Sequence, residues 1–138
     1  MAEGNKLEAE VLTPEGEVFS GELRMLSTRT AVGEVGILAE HVPMVARLVP
    51  AELRLHKSDS EVETYAQGEG WLEVFANKAR VLIAEAKSPD ELNSSDLKQR
   101  LSDAEQALSE AEDGSAAAEQ AEREIARCEA FIRIAEGS

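Results

Sequence analysis

The chain has 138 residues and a formal net charge of −14, from 28 acidic against 14 basic side chains. That length suits one domain, or one domain with an appendage, and is enough to bury a core without staples. The acidic balance excludes a nucleic-acid binder, which needs clustered Lys and Arg for phosphate, and it argues against adhesion to an anionic membrane surface.

Such a balance fits a protein that docks on other proteins. The single cysteine, Cys128, leaves no internal disulfide and no cysteine-based metal cluster, and reads as a small apolar residue on a helix. Met1 to Lys6 are polar, so no secretory leader is expected. No apolar run approaches the ~20 residues that span a bilayer, so no direct membrane insertion is expected. These features together predict a soluble chain made in a reducing compartment.

From Leu7 to about Ala86 apolar residues recur with period two. Leu7, Ala9 and Val11 alternate with Glu8 and Glu10, and Pro14-Glu15-Gly16 then supplies a turn. Ala51, Leu53 and Leu55 alternate with Glu52, Arg54 and His56, and the polar run Lys57-Ser58-Asp59-Ser60 follows. Val62, Thr64 and Ala66 alternate with Glu61 and Glu63. Gly68 to Gly70 and Asn77-Lys78 mark further turns, and Ala79, Val81 and Ile83 flank Arg80 and Leu82. Strands place alternate side chains on opposite faces, so each run predicts a strand with one face buried. Short strands with turns about every ten residues indicate an antiparallel sandwich or barrel.

Past Ser88-Pro89 the period becomes helical, which divides the chain into domains at 1–87 and 88–138. Leu97, Leu101, Ala104, Leu108 and Ala111 form one apolar stripe. Ser94 or Ser95 can cap its start, and Asp113-Gly114 stops it. A second stripe, Ala118, Ala121, Ile125, Cys128, Ile132 and Ala135, has coiled-coil spacing. Two helices joined by a short turn make an antiparallel hairpin. Its alanine-rich seam buries little area, so it is expected to depend on a host surface.

Groups for chemistry are sparse. His41 and His56 are the only histidines, and His56 falls on the polar side of its strand as a solvated residue. Glu40-His41 could act as a base and its orienter, but no Ser or Cys nucleophile is nearby in sequence, and a structural or interface histidine fits better. There is no metal-ligand pair of His or Cys and no phosphate loop ending in Lys-Ser or Lys-Thr. The acidic clusters at Glu110-Glu112-Asp113 and Glu119-Glu122-Glu124 lack calcium-loop spacing and read as solvated helix faces. No cofactor and no metal are expected. The informative segment is Gly33-Glu34-Val35-Gly36-Ile37-Leu38-Ala39-Glu40-His41-Val42-Pro43. Two glycines three apart allow tight turns around a very short strand, and Pro43 starts a turn, so the segment reads as a shaped, protruding loop.

That segment resembles the signature of the epsilon-subunit family of F-type ATP synthases (delta in mitochondrial naming): Gly-Glu-x-Gly-Ile-Leu, two residues, His, one residue, Pro. Three further segments agree in order. Val11 to Gly21 is similar to the family's opening hairpin, Gly70-Trp71-Leu72-Glu73-Val74 to its Gly-Phe-x-Glu-Val strand, and Val81 to Ala86 to its last sandwich strand. The likeness is specific to Ala86 and architectural after it. The family usually has Ser-Gly-Gly before the aromatic, where this chain has Gly68-Glu69-Gly70, which requires Glu69 to keep a negative φ.

The resemblance implies an N-terminal ten-stranded antiparallel β-sandwich followed by a C-terminal antiparallel α-helical hairpin. It implies a central-stalk rotor subunit without its own active site, bound to the gamma subunit and the c-ring. The same likeness implies transient contact of the helices with the alpha and beta subunits, restraining ATP hydrolysis. Its expected location is peripheral, on the cytoplasmic face of a bacterial membrane. Glu34 and His41 are the expected c-ring contacts, within a signature that includes Gly33, Gly36, Ile37, Leu38 and Pro43. Leu97, Leu101, Leu108, Ile125 and Ile132 are the expected seam of the hairpin. Nucleotide-binding members carry Ile- or Leu-Asp-x-x-Arg-Ala at the start of the first helix; here Asn93 replaces the acid and Asp96 the arginine, which predicts no ATP binding. The rival readings are an adaptor whose hairpin recruits some other protein, and a small hydrolase using Glu40 and His41.

Overall fold

The computed structural model describes residues 5–137, so the start of the polar stretch at Met1 lies outside the described residues. Among the described residues there are ten strands and two α-helices. The strands are β1 (Leu7–Thr13), β2 (Gly16–Leu23), β3 (Met25–Thr30), β4 (Gly33–Leu38), β5 (Met44–Leu48), β6 (Ala51–His56), β7 (Val62–Gln67), β8 (Gly70–Phe75), β9 (Lys78–Ile83) and β10 (Ala86–Lys87). The helices are α1 (Ser94–Glu110) and α2 (Ala116–Ala135). The chain divides into two compact units, the first ending at Ser88 and the second starting at Pro89. No helix among the described residues is long and apolar enough to cross a membrane.

In the first unit the hydrogen-bonded order is β10-β7-β6-β3-β5-β8-β9-β1-β2, with β4 paired to β3. The alternation in β1 and β9 works as expected. Leu7, Ala9 and Val11 are fully buried, as are Ala79 and Val81. With Leu26, Ile37, Leu48, Leu53, Leu55 and Leu72 they form one core. Burying each leucine or valine there contributes about 1.5–3 kcal/mol. The sheet is not wholly antiparallel: β1 runs parallel to β9, with Ala9 beside Ala79 and Val11 beside Val81. A parallel pair needs a long crossover, and the strands between β1 and β9 supply it.

Three segments depart from the alternation read in the sequence. In β7 the face toward the core is inverted, although Ala66 of the expected Val62-Thr64-Ala66 face is itself fully buried. Glu63, Tyr65 and Gln67 lie opposite Leu55, Leu53 and Ala51 and share their core-facing side, while Val62 lies opposite His56 and is 43% exposed. The polar residues point inward because each finds a partner there. The fully buried Gln67 accepts from Thr28 Oγ1 at 2.7 Å and donates from Nε2 to the Val49 carbonyl at 2.9 Å. His56 is half-buried and not simply solvated, with Nε2 3.2 Å from Ser27 Oγ. The Gly33–Leu38 segment is a full strand and not a loop, paired with β3 from Thr30–Gly33 to Met25–Leu38. Gly36 masked the alternation: it lies opposite Ser27 within the ladder, without a left-handed φ, so it makes no turn. Glu69 keeps a negative φ, as its place between two glycines requires.

In the second unit a short 3-10 turn at Pro89–Glu91 precedes α1. The cap of α1 is Asn93, whose side chain accepts from the Asp96 N–H at 3.0 Å. Ser94, one of the two expected caps, instead donates to the Glu136 carboxylate at 2.8 Å. Ser115 caps α2 through the Ala118 N–H, and Gly114 takes φ +74 in the turn between the helices. Along the seam Leu97, Ala104, Ala118, Ala121 and Cys128 are buried, whereas Leu101, Leu108, Ile125 and Ile132 are only half-buried. The fully buried Phe131, one position before Ile132, widens the stripe beyond strict coiled-coil spacing. The Arg127 guanidinium lies 4.8 Å from its ring centroid.

Candidate functional site

The signature begins at the β3–β4 turn. Thr30 Oγ1 donates to the Gly33 carbonyl at 2.9 Å and accepts from the Val32 N–H at 3.2 Å, which closes the turn. Gly33, at φ +138, has a backbone that a side chain would strain. Val32 at the tip is 97% exposed. Beyond the turn β4 alternates: Ile37 anchors the strand in the core, while Glu34, Gly36 and Leu38 face outward. Glu34 pairs with Arg29, directly opposite on β3, at 3.0 Å. The pair is exposed and worth about 0–1 kcal/mol. Leu38 is 57% exposed.

Past Leu38 the chain turns. The His41 N–H donates to the Leu38 carbonyl at 3.2 Å. Glu40 takes φ 63, a left-handed conformation that only glycine and short polar residues adopt readily. The His41 ring is half-buried and its Nδ1 lies 2.7 Å from the Val42 carbonyl, so Nδ1–H is the donor. Val42 and Pro43 are exposed, and β5 starts with Met44 opposite Val74. Glu34 therefore lies near the start of the outward strip of β4 and His41 three residues past its far end, and the two are not paired. At about 3.3 Å per residue, Glu34 to Leu38 alone spans roughly 13 Å.

Asn77 has a role that the sequence did not expose. Read there only as a turn residue, it takes φ 60 beside Ala76 at φ 51 in the β8–β9 turn. Its Oδ1 accepts from the Glu40 N–H at 2.9 Å and its Nδ2 donates to the Lys6 carbonyl at 2.8 Å. A second unread feature is the outward face of β5 and β8, where Val45, Trp71 and Phe75 are 69%, 49% and 72% exposed. The available signal was apolar residues at both parities of one strand, Trp71 and Phe75 outward with Leu72 and Val74 inward. Beside them Glu10 pairs with Arg80 at 3.0 Å and Lys78 at 3.8 Å.

In the helical unit Asp96 sits in the first turn of α1, and Arg100 lies 3.8 Å from Glu124 of α2. Glu136 is held by Lys98 at 2.9 Å as well as by Ser94, and these two partners, Lys98 first, draw its carboxyl below the usual range. Among the described residues no three His, Cys, Asp or Glu side chains group as metal ligands.

The profile of the ATP synthase, Delta/Epsilon chain, beta-sandwich domain matches residues 6–89. The ATP synthase epsilon chain of Sulfurihydrogenibium sp. (strain YO3AOP1) is 35% identical over 126 residues, covering 91% of this chain and 94% of that one. The epsilon chain of Priestia megaterium is 42% identical over 83 residues, 60% of this chain and 61% of that one. In fold, a chain of the Euglena gracilis mitochondrial ATP synthase OSCP/F1/c-ring structure matches with a TM-score of 0.80 at 19% identity, over 92% of this chain and 79% of that one. A chain of the Tetrahymena thermophila mitochondrial ATP synthase central stalk/c-ring structure matches at 0.64 and 14% identity, over 93% and 95%. All ten strands fall within the matched profile and one relative aligns almost end to end, so the chain belongs to the ATP synthase delta/epsilon family.

Proposed function

We propose that this chain is a central-stalk rotor subunit of a proton-translocating F-type ATP synthase. It couples c-ring rotation to ATP synthesis in the catalytic head and has no active site of its own. The observation that carries this reading is the 35% identity to an ATP synthase epsilon chain over 94% of that chain. The sandwich, residues 1–87, docks on the gamma subunit and on the c-ring. The outward strip of β4 supports the ring contact, because Glu34, Leu38 and Val42 are exposed on an otherwise core-anchored strand and its following loop. Polar and apolar side chains so placed can engage the loops of ring subunits without a fixed core. The complex sits peripherally on the cytoplasmic face of the bacterial membrane.

The hairpin, residues 88–138, is the regulatory part, touching alpha and beta transiently and restraining ATP hydrolysis. It does not clamp ATP: the side chain at the expected phosphate position is Asp96, and the candidate substitute one helical turn on, Arg100, faces Glu124. Purification of the tagged full chain from its own membranes tests the reading. Gamma and c-ring subunits are expected in the complex; an adaptor would bring down other chains without gamma. Truncation after Ser88 is expected to leave assembly intact and to raise ATP hydrolysis.

A further inference from the structure

We propose that Asn77, on the β8–β9 turn, is a positioning residue for the ring-facing loop that carries His41. The inference rests on the reading that this loop meets the c-ring. The loop between β4 and β5 has few constraints of its own. Its one strained residue, Glu40 at φ 63, has a side chain poorly suited to that conformation. The Glu40 N–H is satisfied by the Asn77 side chain at 2.9 Å, across a sequence separation of 37. The other end of the same amide donates to the Lys6 carbonyl at 2.8 Å, and the Asn77 backbone carbonyl accepts from the Glu8 N–H at 3.1 Å. One side chain thus ties the loop to the edge of β1 and to a two-residue turn whose ladder closes at Phe75–Lys78.

The amide suits this place for three reasons. It offers one acceptor and at least one donor on a planar group, matching one N–H and one carbonyl. Asparagine tolerates the left-handed φ of 60 better than other non-glycine residues. Its anchor is rigid, because β8 and β9 are paired along their whole length. The consequence is geometric: β5 enters opposite β8, so the loop before Met44 runs beside the turn that holds Asn77. Fixing Glu40 fixes the next residue, His41, and with it the exposed Val42. Glu34 is placed independently, by the β3–β4 ladder and Arg29. Loss of the amide therefore displaces the His41 end of the strip and leaves the Glu34 end in place.

The test uses the assembled synthase carrying the full chain, with single cysteines at position 41 or 34 for crosslinking to the ring and Cys128→Ala as background. Asn77→Gly keeps the left-handed turn and removes the amide. It is expected to lower ring adducts from position 41 severalfold and to leave those from position 34 unchanged. Asn77→Asp, which keeps an acceptor for the Glu40 N–H but sets a second oxygen against the Lys6 carbonyl, is expected to restore only part of the loss. Equal adducts from position 41 in Asn77→Gly and in the parent overturn the proposal, as does an equal loss at both positions. Amide exchange at Glu40 in the isolated chain reads the clamp without the ring, with roughly fivefold to tenfold faster exchange expected in Asn77→Gly, the size of one net hydrogen bond. Unchanged exchange overturns the clamp. Faster exchange with no ring adduct in the parent at either position overturns the ring reading and spares the clamp.

Discussion

The phenol of Tyr65 donates a hydrogen bond to the carboxylate of Glu63, two residues earlier on the same core-facing side of β7. Glu63 also receives Lys57 at 2.7 Å, and Lys57 lies 5.7 Å from the Phe19 ring centroid. Burial first, and Glu63 second, push the Tyr65 hydroxyl up to about 12. Lys57 first, with Tyr65 second, lowers the Glu63 carboxyl below its usual range.

Tyr65 is the only tyrosine, so tyrosinate absorbance reports it alone. The expected midpoint is about 12 in the folded protein and about 10 in denaturant. A raised folded value means that the contribution is complete below the unfolded value and is lost as pH rises through about 12. Glu63→Gln is expected to recover only the smaller part of the shift, because burial is its larger cause. A folded midpoint at 10 would contradict the inward placement of β7.

Gly70 and Gly36 make a controlled pair. A methyl at Gly70 would lie 1.9 Å from the Leu82 carbonyl oxygen and 2.8 Å from the Ile83 Cα, against backbone that cannot swing aside. Gly70→Ala is expected to cost more than ~3 kcal/mol, at or beyond the upper end of overpacking effects. At Gly36 the nearest atom is the flexible Met25 Sδ at 3.4 Å, so Gly36→Ala is expected to stay within about 0.5 kcal/mol of the parent. Urea unfolding of both variants measures the contrast.

Gln67→Leu removes the side-chain partner of the buried Thr28 hydroxyl and of the half-buried Val49 carbonyl. The expected cost is about 1–3 kcal/mol, seen as a lower urea midpoint at unchanged slope. Adding Thr28→Val removes one of the stranded groups and is expected to recover part of the loss. Strictly additive losses would show that Thr28 and Gln67 are not coupled.

Glu136 sits at the C-terminal end of α2, where a carboxylate meets the unfavourable end of the helix dipole. Lys98 and Ser94 of α1 offset that. Its lowered pKa means that the clasp is complete above the unfolded carboxyl value and is lost as pH falls through the lower folded one. Amide protection in the first turn of α1 is expected to drop over that acid range. In Glu136→Gln it should be lower at neutral pH and flat with acidification. An identical acid response in the variant would assign the effect to another carboxylate.

The parts of the fold legible in the sequence were those whose burial is apolar and whose neighbours are close. β1 and β9 alternate cleanly because every inward residue is Leu, Ala, Val or Ile. β7 misled because its inward polar groups find partners that no local pattern announces: Gln67 reaches Thr28 and Val49, 39 and 18 residues away, and Glu63 takes Lys57 from the preceding turn. β4 was hidden by a glycine that faces outward, where an added Cβ would meet only the Met25 sulfur. Phe131 escaped because strict heptad counting places Ile132 on the seam. The signature drew attention to the right strand, yet Asn77 could not be linked to it, since local pattern carries no record of a hydrogen bond across 37 residues.

The parallel pairing of β1 with β9 also sets an order of events at the ribosome. β1 emerges among the first segments, and its far edge stays open until the chain is made to about Leu82. Until then an apolar strand with unpaired backbone groups is exposed, a template for pairing with another nascent chain. The hairpin of α1 and α2, built from local contacts, has no such wait. A messenger cut short anywhere before β9 would thus yield a fragment prone to aggregate, whereas one ending at Ser88 carries every strand that closes the sheet.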